Sequence, residues 1–337
     1  MKLSFYMAPL EGITGYSYRN MIHKYFGQGI DKYFTPFFAP HTKRSMNTKE
    51  MRDVLPENNR GLYLVPQILT NSSRDFLRFE GDMRDRFGYV ETNINLGCPS
   101  GTVYSKGRGA GMLRDVEALG AFLEEVFEKK RGEVSLKVRL GCEEPEEFYG
   151  LLDVFNRYEL KELIIHSRVR EEFYKGECHG EIFGYALEHS RNPLCWSGDI
   201  VSEESLQKRL VSLKIKGYEC SREEGFISIE EGPLKAIMIG RGMVADPSLI
   251  RHITGNGPKM SRDELKGFMK EFEKELLGLF GNPVPVLHKL KEIWNFCIYA
   301  LPAEDMSEAD REGLRKQILK CRRIEEYDSL LQVIFSR

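Results

Sequence analysis

The chain has 337 residues, 41% hydrophobic and 30% charged, with a formal net charge of −2, which suits a soluble large domain plus a smaller one. The charge balance excludes a generally basic nucleic-acid binder, so RNA contact would need a local patch, and no apolar run approaches the roughly 18 residues of a membrane span. Seven cysteines (Cys98, Cys142, Cys178, Cys195, Cys220, Cys297, Cys321) are scattered, odd in number and never in CxxC spacing. That disfavours a disulfide scaffold and a metal site, and suits a reducing cytoplasm.

In chain order, the opening MKLSFYMAPLEG turns polar too early for a secretion leader and reads as a first strand, Leu3 to Ala8. Further β-rich runs follow at Tyr33 to Phe38, Leu62 to Ile68, Tyr89 to Leu96, Val134 to Leu140, Glu162 to His166, Leu194 to Trp196 and Ala236 to Ile239. Between them, apolar residues recur at helical spacing over Tyr16 to Phe26, Ser73 to Phe87, Val116 to Lys129, Pro145 to Arg157 and Glu203 to Leu213. Eight strands with helical crossovers predict a (β/α)8 TIM barrel over residues 1–255, close to the usual size of about 250 residues. A doubly wound sheet fits less well, because no GxGxxG follows the first strand.

Residues 215–232 sit where a short turn into the last strand is expected. They read as an insertion beside the loops of the last two strands, with a hairpin around Glu224-Gly225. From Gly255 the pattern becomes wholly helical. Ser261 and Glu264 form a capping-box signature, and helices are expected over Ser261 to Phe280, Pro283 to Tyr299 and, with an interruption, Ser307 to Phe335. Residues 256–337 are therefore expected to form a C-terminal helical bundle domain.

The chemistry centres on ETNINLGCPSGTVYSKGRGAGML, residues 91–113. Cys98 stands between Gly97 and Pro99 at a strand end, followed by a basic, Gly-rich loop with Lys106 and Arg108. Strand ends are where barrel enzymes place their chemistry, and a thiol there can serve as nucleophile or proton donor. Asn93 and Asn95 share one strand face, and Asn95 can hydrogen-bond a planar heterocycle. Lys137 lies inside an otherwise apolar strand, where an anion or an electron-rich ligand atom would answer its charge. Gln67 and His166 end their own strands. Strands seven and eight run into Ser197-Gly198-Asp199 and Gly240-Arg241-Gly242, the places where such barrels often bind a phosphate. A phosphate-bearing cofactor follows from that spacing, though not its identity.

These residues resemble the tRNA-dihydrouridine synthase family. The resemblance is carried by MAPLEGITG, PQIL, NINLGCPSGTVYSKGRGAGML, LKVRLG, IIHSRVREEFYKGE, SGDI and MIGRGMVADPSLI, in the family's order across most of residues 1–255. It implies an FMN-dependent reductase that uses NADPH to saturate the C5=C6 bond of specific uridines in tRNA, as a cytoplasmic monomer without metal. Pro9, Leu10 and Glu11 would line the flavin ring, and Gln67, Lys137 and His166 would meet its polar edge. Ser197, Gly198, Asp199, Gly240 and Arg241 would hold the phosphate, with Ser197 standing where the family usually has Asn. Asn95, Lys106, Arg168 and Lys175 would contact substrate. Hydride would pass from flavin N5 to C6 while Cys98, the catalytic residue, protonates C5 as a general acid. The helical tail would bind the tRNA, with Lys289, Lys291, Arg315, Lys316, Lys320, Arg322 and Arg323 as its candidate basic patch. Two rival readings are an FMN barrel reductase of a small pyrimidine or enone, and a non-catalytic tRNA-binding relative.

Overall fold

Short β-favouring runs alternate with amphipathic helices up to Ile239, and this alternation builds a parallel sheet that nearly closes on itself. The structure, a computed structural model, describes residues 1–40, 44–221, 223–301 and 306–336. The strands are β1 (Lys2–Met7), β2 (Lys32–Phe34), β3 (Leu64–Val65), β4 (Gln67–Ile68), β5 (Glu91–Leu96), β6 (Glu133–Arg139), β7 (Glu162–His166), β8 (Leu194–Ser197), β9 (Glu219–Ser221), β10 (Phe226–Ser228) and β11 (Leu234–Ile239). Nine of them run in the order β3-β2-β1-β11-β8-β7-β6-β5-β4. The two ends of that path, β3 and β4, are consecutive in the chain and separated only by Pro66, which leaves the expected eight-stranded barrel nearly closed.

Proline has no N–H to give the ladder. Its carbonyl still accepts from Asn93 N–H at 2.9 Å, and the Thr35 hydroxyl takes the Gln67 N–H at 2.9 Å. The break therefore leaves neither neighbour unsatisfied.

Strand alternation sorts the side chains into two layers. Ile94, Leu96, Leu136 and Val138 pack outward against the crossover helices. Tyr6, Phe34, Val65, Ile164, Cys195 and Met238 pack inward as a separate lumen core. Because the strand period is two, Asn93, Asn95, Ser135 and Lys137 then point into the lumen as well. The helices Tyr16–Phe26, Ser73–Phe87 and Val116–Lys129 have the predicted bounds, and Glu147–Phe155 and Glu203–Ser212 are slightly shorter than expected. One crossover, Gly180–His189, was not anticipated. Its N-terminus has no side-chain cap, and the polar run before it carries no start signal.

The insertion does form a hairpin, with β9 and β10 antiparallel and Gly225 in the turn at φ 68°. Its expected position is corrected. β10 pairs with Lys2 and Leu3 at the start of β1, so the hairpin caps the end of the barrel opposite the loops that follow β8 and β11. The crossover helix after β8 carries the chain back to that end before the insertion begins.

Past the barrel come the helices Arg262–Phe280, Pro283–Cys297, Glu308–Lys320 and Ile324–Ser336. The capping box at Ser261 and Glu264 is formed as expected. Tyr18 of the first crossover helix meets Phe268 and Phe272 edge-on, with ring centroids 6.1 and 5.7 Å apart, which docks the tail on the barrel flank. Trp294 donates to the Tyr327 hydroxyl at 2.9 Å inside the tail.

Candidate functional site

The C-terminal strand ends converge on one pocket. Pro9, Leu10, Lys137, His166, Ser197, Gly198, Asp199, Gly240 and Arg241 all line it, together with Tyr174. Glu11 and Gln67 do not. Glu11 lines the adjoining cleft, and Gln67 is fully buried.

Gln67 belongs to a chain of amides across the lumen. Asn93 donates to Ser135 Oγ at 2.8 Å, Gln67 donates to Asn93 Oδ1 at 2.8 Å, and Asn95 donates to Gln67 Oε1 at 2.9 Å. The chain ends on the cysteine turn: Asn95 Oδ1 accepts the N–H groups of Gly97 at 3.0 Å and Cys98 at 2.9 Å. Asn95 thus fixes the thiol's position and keeps one amide hydrogen free. From the other side Gly109, at φ 57°, lies so close that a Cβ there would be 2.9 Å from Cys98 Cβ. Only glycine fits the loop at that point.

Arg139 was not singled out from the sequence. It is buried and donates to the carbonyls of Gly97 at 2.9 Å, Val169 at 2.8 Å and Phe173 at 2.7 Å, tying the cysteine turn to the loop after β7. The available signal was its place two residues after Lys137 on the same strand. An arginine in an apolar strand needs partners no less than a lysine does.

Lys137 has no hydrogen-bond or ion-pair partner among the described residues. Burial, reinforced by Arg139, lowers its pKa to about 8. His166 is pushed well below its ordinary value, first by burial and then by Arg139 and Lys137, so it is neutral. Arg168 lies 3.4 Å from His166 Nε2 and can only donate, which leaves the ring proton on Nδ1. The Cys98 thiol is pushed up by burial, against smaller pulls from the Ser100 backbone and Arg139, so it stays protonated near neutral pH. Lys137 and Glu11 both lie within electrostatic reach of it.

Arg168, expected near substrate, is 1% exposed. It donates to the Lys175 carbonyl at 3.1 Å, the Gly176 carbonyl at 2.7 Å and both oxygens of Asp199. Arg241 bonds the same carboxylate at 3.2 Å and covers the Tyr174 ring at 4.5 Å. Burial alone would raise the Asp199 pKa, but Arg168 holds it below the usual range. Gly198, at φ 138°, has no room for a side chain, since a Cβ would meet Cys178 Sγ at 2.6 Å. Lys106 and Lys175 are exposed on the two loops beside the mouth.

Of the seven cations expected as the basic patch of the tail, four are paired with three carboxylates. Arg315 and Lys316 pair with Glu312, Arg323 with Glu326, and Lys289 with Glu292. Lys289 also bonds the Gly12 carbonyl and Lys291 the Cys321 carbonyl. Among the described residues no cluster could hold a metal ion, and no helix is long and apolar enough to cross a membrane.

The (β/α)8 barrel thus gathers at the C-terminal ends of its strands a lysine without a partner among the described residues and glycine-lined turns with an arginine, with the Cys98 thiol at the end of a neighbouring strand. The sequence model described as dihydrouridine synthase (Dus) matches residues 6–225, and the chain belongs to that family. It is 28% identical over 190 residues to the tRNA-dihydrouridine(16) synthase of Shigella flexneri, covering 56% of this chain and 54% of that protein. The tRNA-dihydrouridine(16) synthase of Escherichia coli (strain K12) is 28% identical over 185 residues, 54% of this chain and 53% of the relative. These matches span about half the relatives' length. The "Probable tRNA-dihydrouridine synthase 2" of Bacillus subtilis (strain 168) is 26% identical over 244 residues, 72% and 70% of the two chains.

Proposed function

We propose that the protein is a tRNA-dihydrouridine synthase that reduces the C5=C6 bond of specific uridines in tRNA, with FMN as cofactor and NADPH as reductant. The observation that carries this reading is a thiol set at a strand end by Asn95, on the strand beside the one that carries Lys137 into the pocket, with burial pushing the thiol pKa up. A thiolate nucleophile would want the opposite shift. A thiol that stays protonated suits a proton donor.

The residues present fit FMN. Lys137 offers an unanswered charge to the polar edge of the ring, and neutral His166 offers a donor beside it. Ser197, Gly198, Gly240 and Arg241 form a wall with little side-chain bulk and a cation, suited to the phosphate, while Asp199 holds Arg241 in place. Pro9 and Leu10 give the ring an apolar side. When bound, FMN supplies the hydride for C6 of the uracil. Cys98 delivers the proton to C5, from a turn held by Asn95 and Arg139. Asn95 keeps one N–H for the base, and Lys106 and Lys175 at the mouth attract the RNA backbone. The target uridine must leave its stack to enter. The helical tail, residues 256–337, is the second surface proposed for tRNA.

The test is a purified protein incubated with NADPH and an unmodified tRNA transcript. Bound yellow flavin and new dihydrouridine support the reading, and Cys98→Ala should keep the flavin while losing most turnover. The pairing of four of the tail's seven candidate cations favours one rival, a flavin barrel reductase of a small pyrimidine or enone. Turnover of a free pyrimidine with no salt-sensitive tRNA binding would select it. A colourless protein that takes up no FMN would point to a non-catalytic relative.

A further inference from the structure

The turn after β1 separates two cavities. Leu10 lines the pocket described above, whereas Glu11, the next residue, lines a second cleft walled by the loops after β1 and β2 and by the end of the helix Arg262–Phe280. Tyr16, Phe37 and Phe280 line this cleft, and each is only partly buried. Most of its charges are already committed. Asp53 accepts from the Tyr16 N–H at 2.6 Å and pairs with Arg19, and Glu50 caps its own short helix through the Asn47 N–H at 2.7 Å. Lys289 is held by Gly12 and Glu292. Among the described residues, three charged side chains in the lining have no hydrogen-bond or ion-pair partner: Lys49, Arg52 and Glu11. Lys49 and Arg52 are both exposed at the rim.

Partly open aromatic rings beside uncommitted cations are the two elements with which proteins hold single-stranded nucleic acid, the rings for the base and the cations for its phosphate. The lone carboxylate adds a choice of base. Guanine presents N1–H and N2–H side by side on its Watson–Crick edge, a pair of donors that one carboxylate can accept together. We propose that this cleft takes an unstacked guanosine of the RNA close to the reduced uridine, its base against the aromatic lining and Glu11, its phosphate on Lys49 and Arg52. The inference rests on the tRNA reading and adds a second anchoring nucleotide to it. The Leu10–Glu11 turn shared by the two cavities sets the two nucleotides near each other.

The test is a double-mutant cycle on binding to an unmodified tRNA transcript. Wild type and Phe37→Ala are each titrated with the intact transcript and with transcripts made abasic at one nucleotide near the reduced uridine at a time. One abasic position, a guanosine, should weaken wild-type binding about tenfold, as expected for a stacked base. Phe37→Ala should show the same loss with intact RNA and no further loss at that position. Adenosine placed there should bind more weakly than guanosine but more tightly than the abasic site, because it still stacks and lacks only the paired donors for Glu11. Arg52→Ala should reduce the salt dependence by about one phosphate contact. Phe37→Leu repeats the cycle if Phe37→Ala lowers thermal stability. Additive losses at every position, or coupling to a nucleotide other than guanosine, would overturn the proposal while leaving the tRNA reading intact. A wild type that binds no tRNA would remove that reading first, and this one with it.

Discussion

Asn95 Oδ1 accepts the backbone N–H of Cys98 at 2.9 Å, so one amide side chain sets where the thiol stands. The same oxygen takes the Gly97 N–H, and the amide nitrogen is tied to Gln67. Asn95→Ala should leave those donors unanswered, costing about 1–3 kcal/mol of stability. A thiol displaced by an ångström should also lower kcat on tRNA about 10²-fold. Asn95→Asp, which keeps both acceptor bonds, should recover part of kcat. Equal kcat in wild type and Asn95→Ala would show that the turn holds its shape without the amide.

The raised thiol pKa makes a separate chemical prediction. At pH 7 the Cys98 thiol should react with iodoacetamide more slowly than free cysteine, and the rate should climb as pH rises into the alkaline range. Peptide mass spectrometry distinguishes it from Cys220, which is also partly exposed. Rapid labelling of Cys98 at neutral pH would mean a thiolate, and would favour nucleophilic over acid catalysis.

The two arginines on Asp199 should behave differently. Arg168 is buried and spends its donors on the protein, so Arg168→Met should lower thermal stability by on the order of 3 kcal/mol as well as loosening the loop of Asp199. Arg241 has a side chain that is 39% exposed. Arg241→Ala should leave the melting temperature close to wild type and reduce FMN retention. Absorbance of the co-purified flavin, set beside a melting curve, reads both effects. Unchanged flavin occupancy in Arg241→Ala would move the phosphate site elsewhere.

The barrel was legible because its strands are short β-favouring runs and half of its six long crossover helices carry side-chain caps, at Ser72, Asp115 and Ser202. The pocket was legible for a related reason: glycines and lone cations at strand ends are costly unless a ligand or a tight turn needs them. Partnership was not legible. Whether Arg168 faces substrate or Asp199, and whether Gln67 meets a ligand or two asparagines, depends on neighbours far away in sequence. The hairpin shows the same limit. Its turn was visible in Glu224-Gly225, but its place at the far end of the barrel follows from pairing with Lys2 and Leu3, more than 200 residues earlier.

The closed end of the lumen holds a titrating cluster that nothing in the proposed reaction uses. Glu162 accepts from the Tyr6 hydroxyl at 2.8 Å, and Lys32 lies 3.0 Å from Glu91 and 4.0 Å from Glu162. One lysine cannot answer two buried carboxylates. Burial raises the Glu162 pKa from the usual 4.5 to about 7, against the pull of Lys32 and the Tyr6 bond, and with a further push from Glu91. The folded protein therefore keeps this proton up to about pH 7, whereas the unfolded chain releases it near pH 4.5. Folding binds a proton between those values, so this contribution is complete below pH 4.5 and is lost as pH rises through 7. The loss should be on the order of 2–3 kcal/mol, seen as a melting temperature that falls between pH 5 and pH 8. Glu273 in the tail, raised to about 7 by burial and by Asp328, adds a second fall of the same sign. Glu162→Gln keeps an acceptor for Tyr6 and cannot titrate, so it should flatten the slope without abolishing it. Melting curves of the two proteins across that range decide the matter, and identical slopes would mean that Glu162 is already ionised in the folded barrel at pH 5.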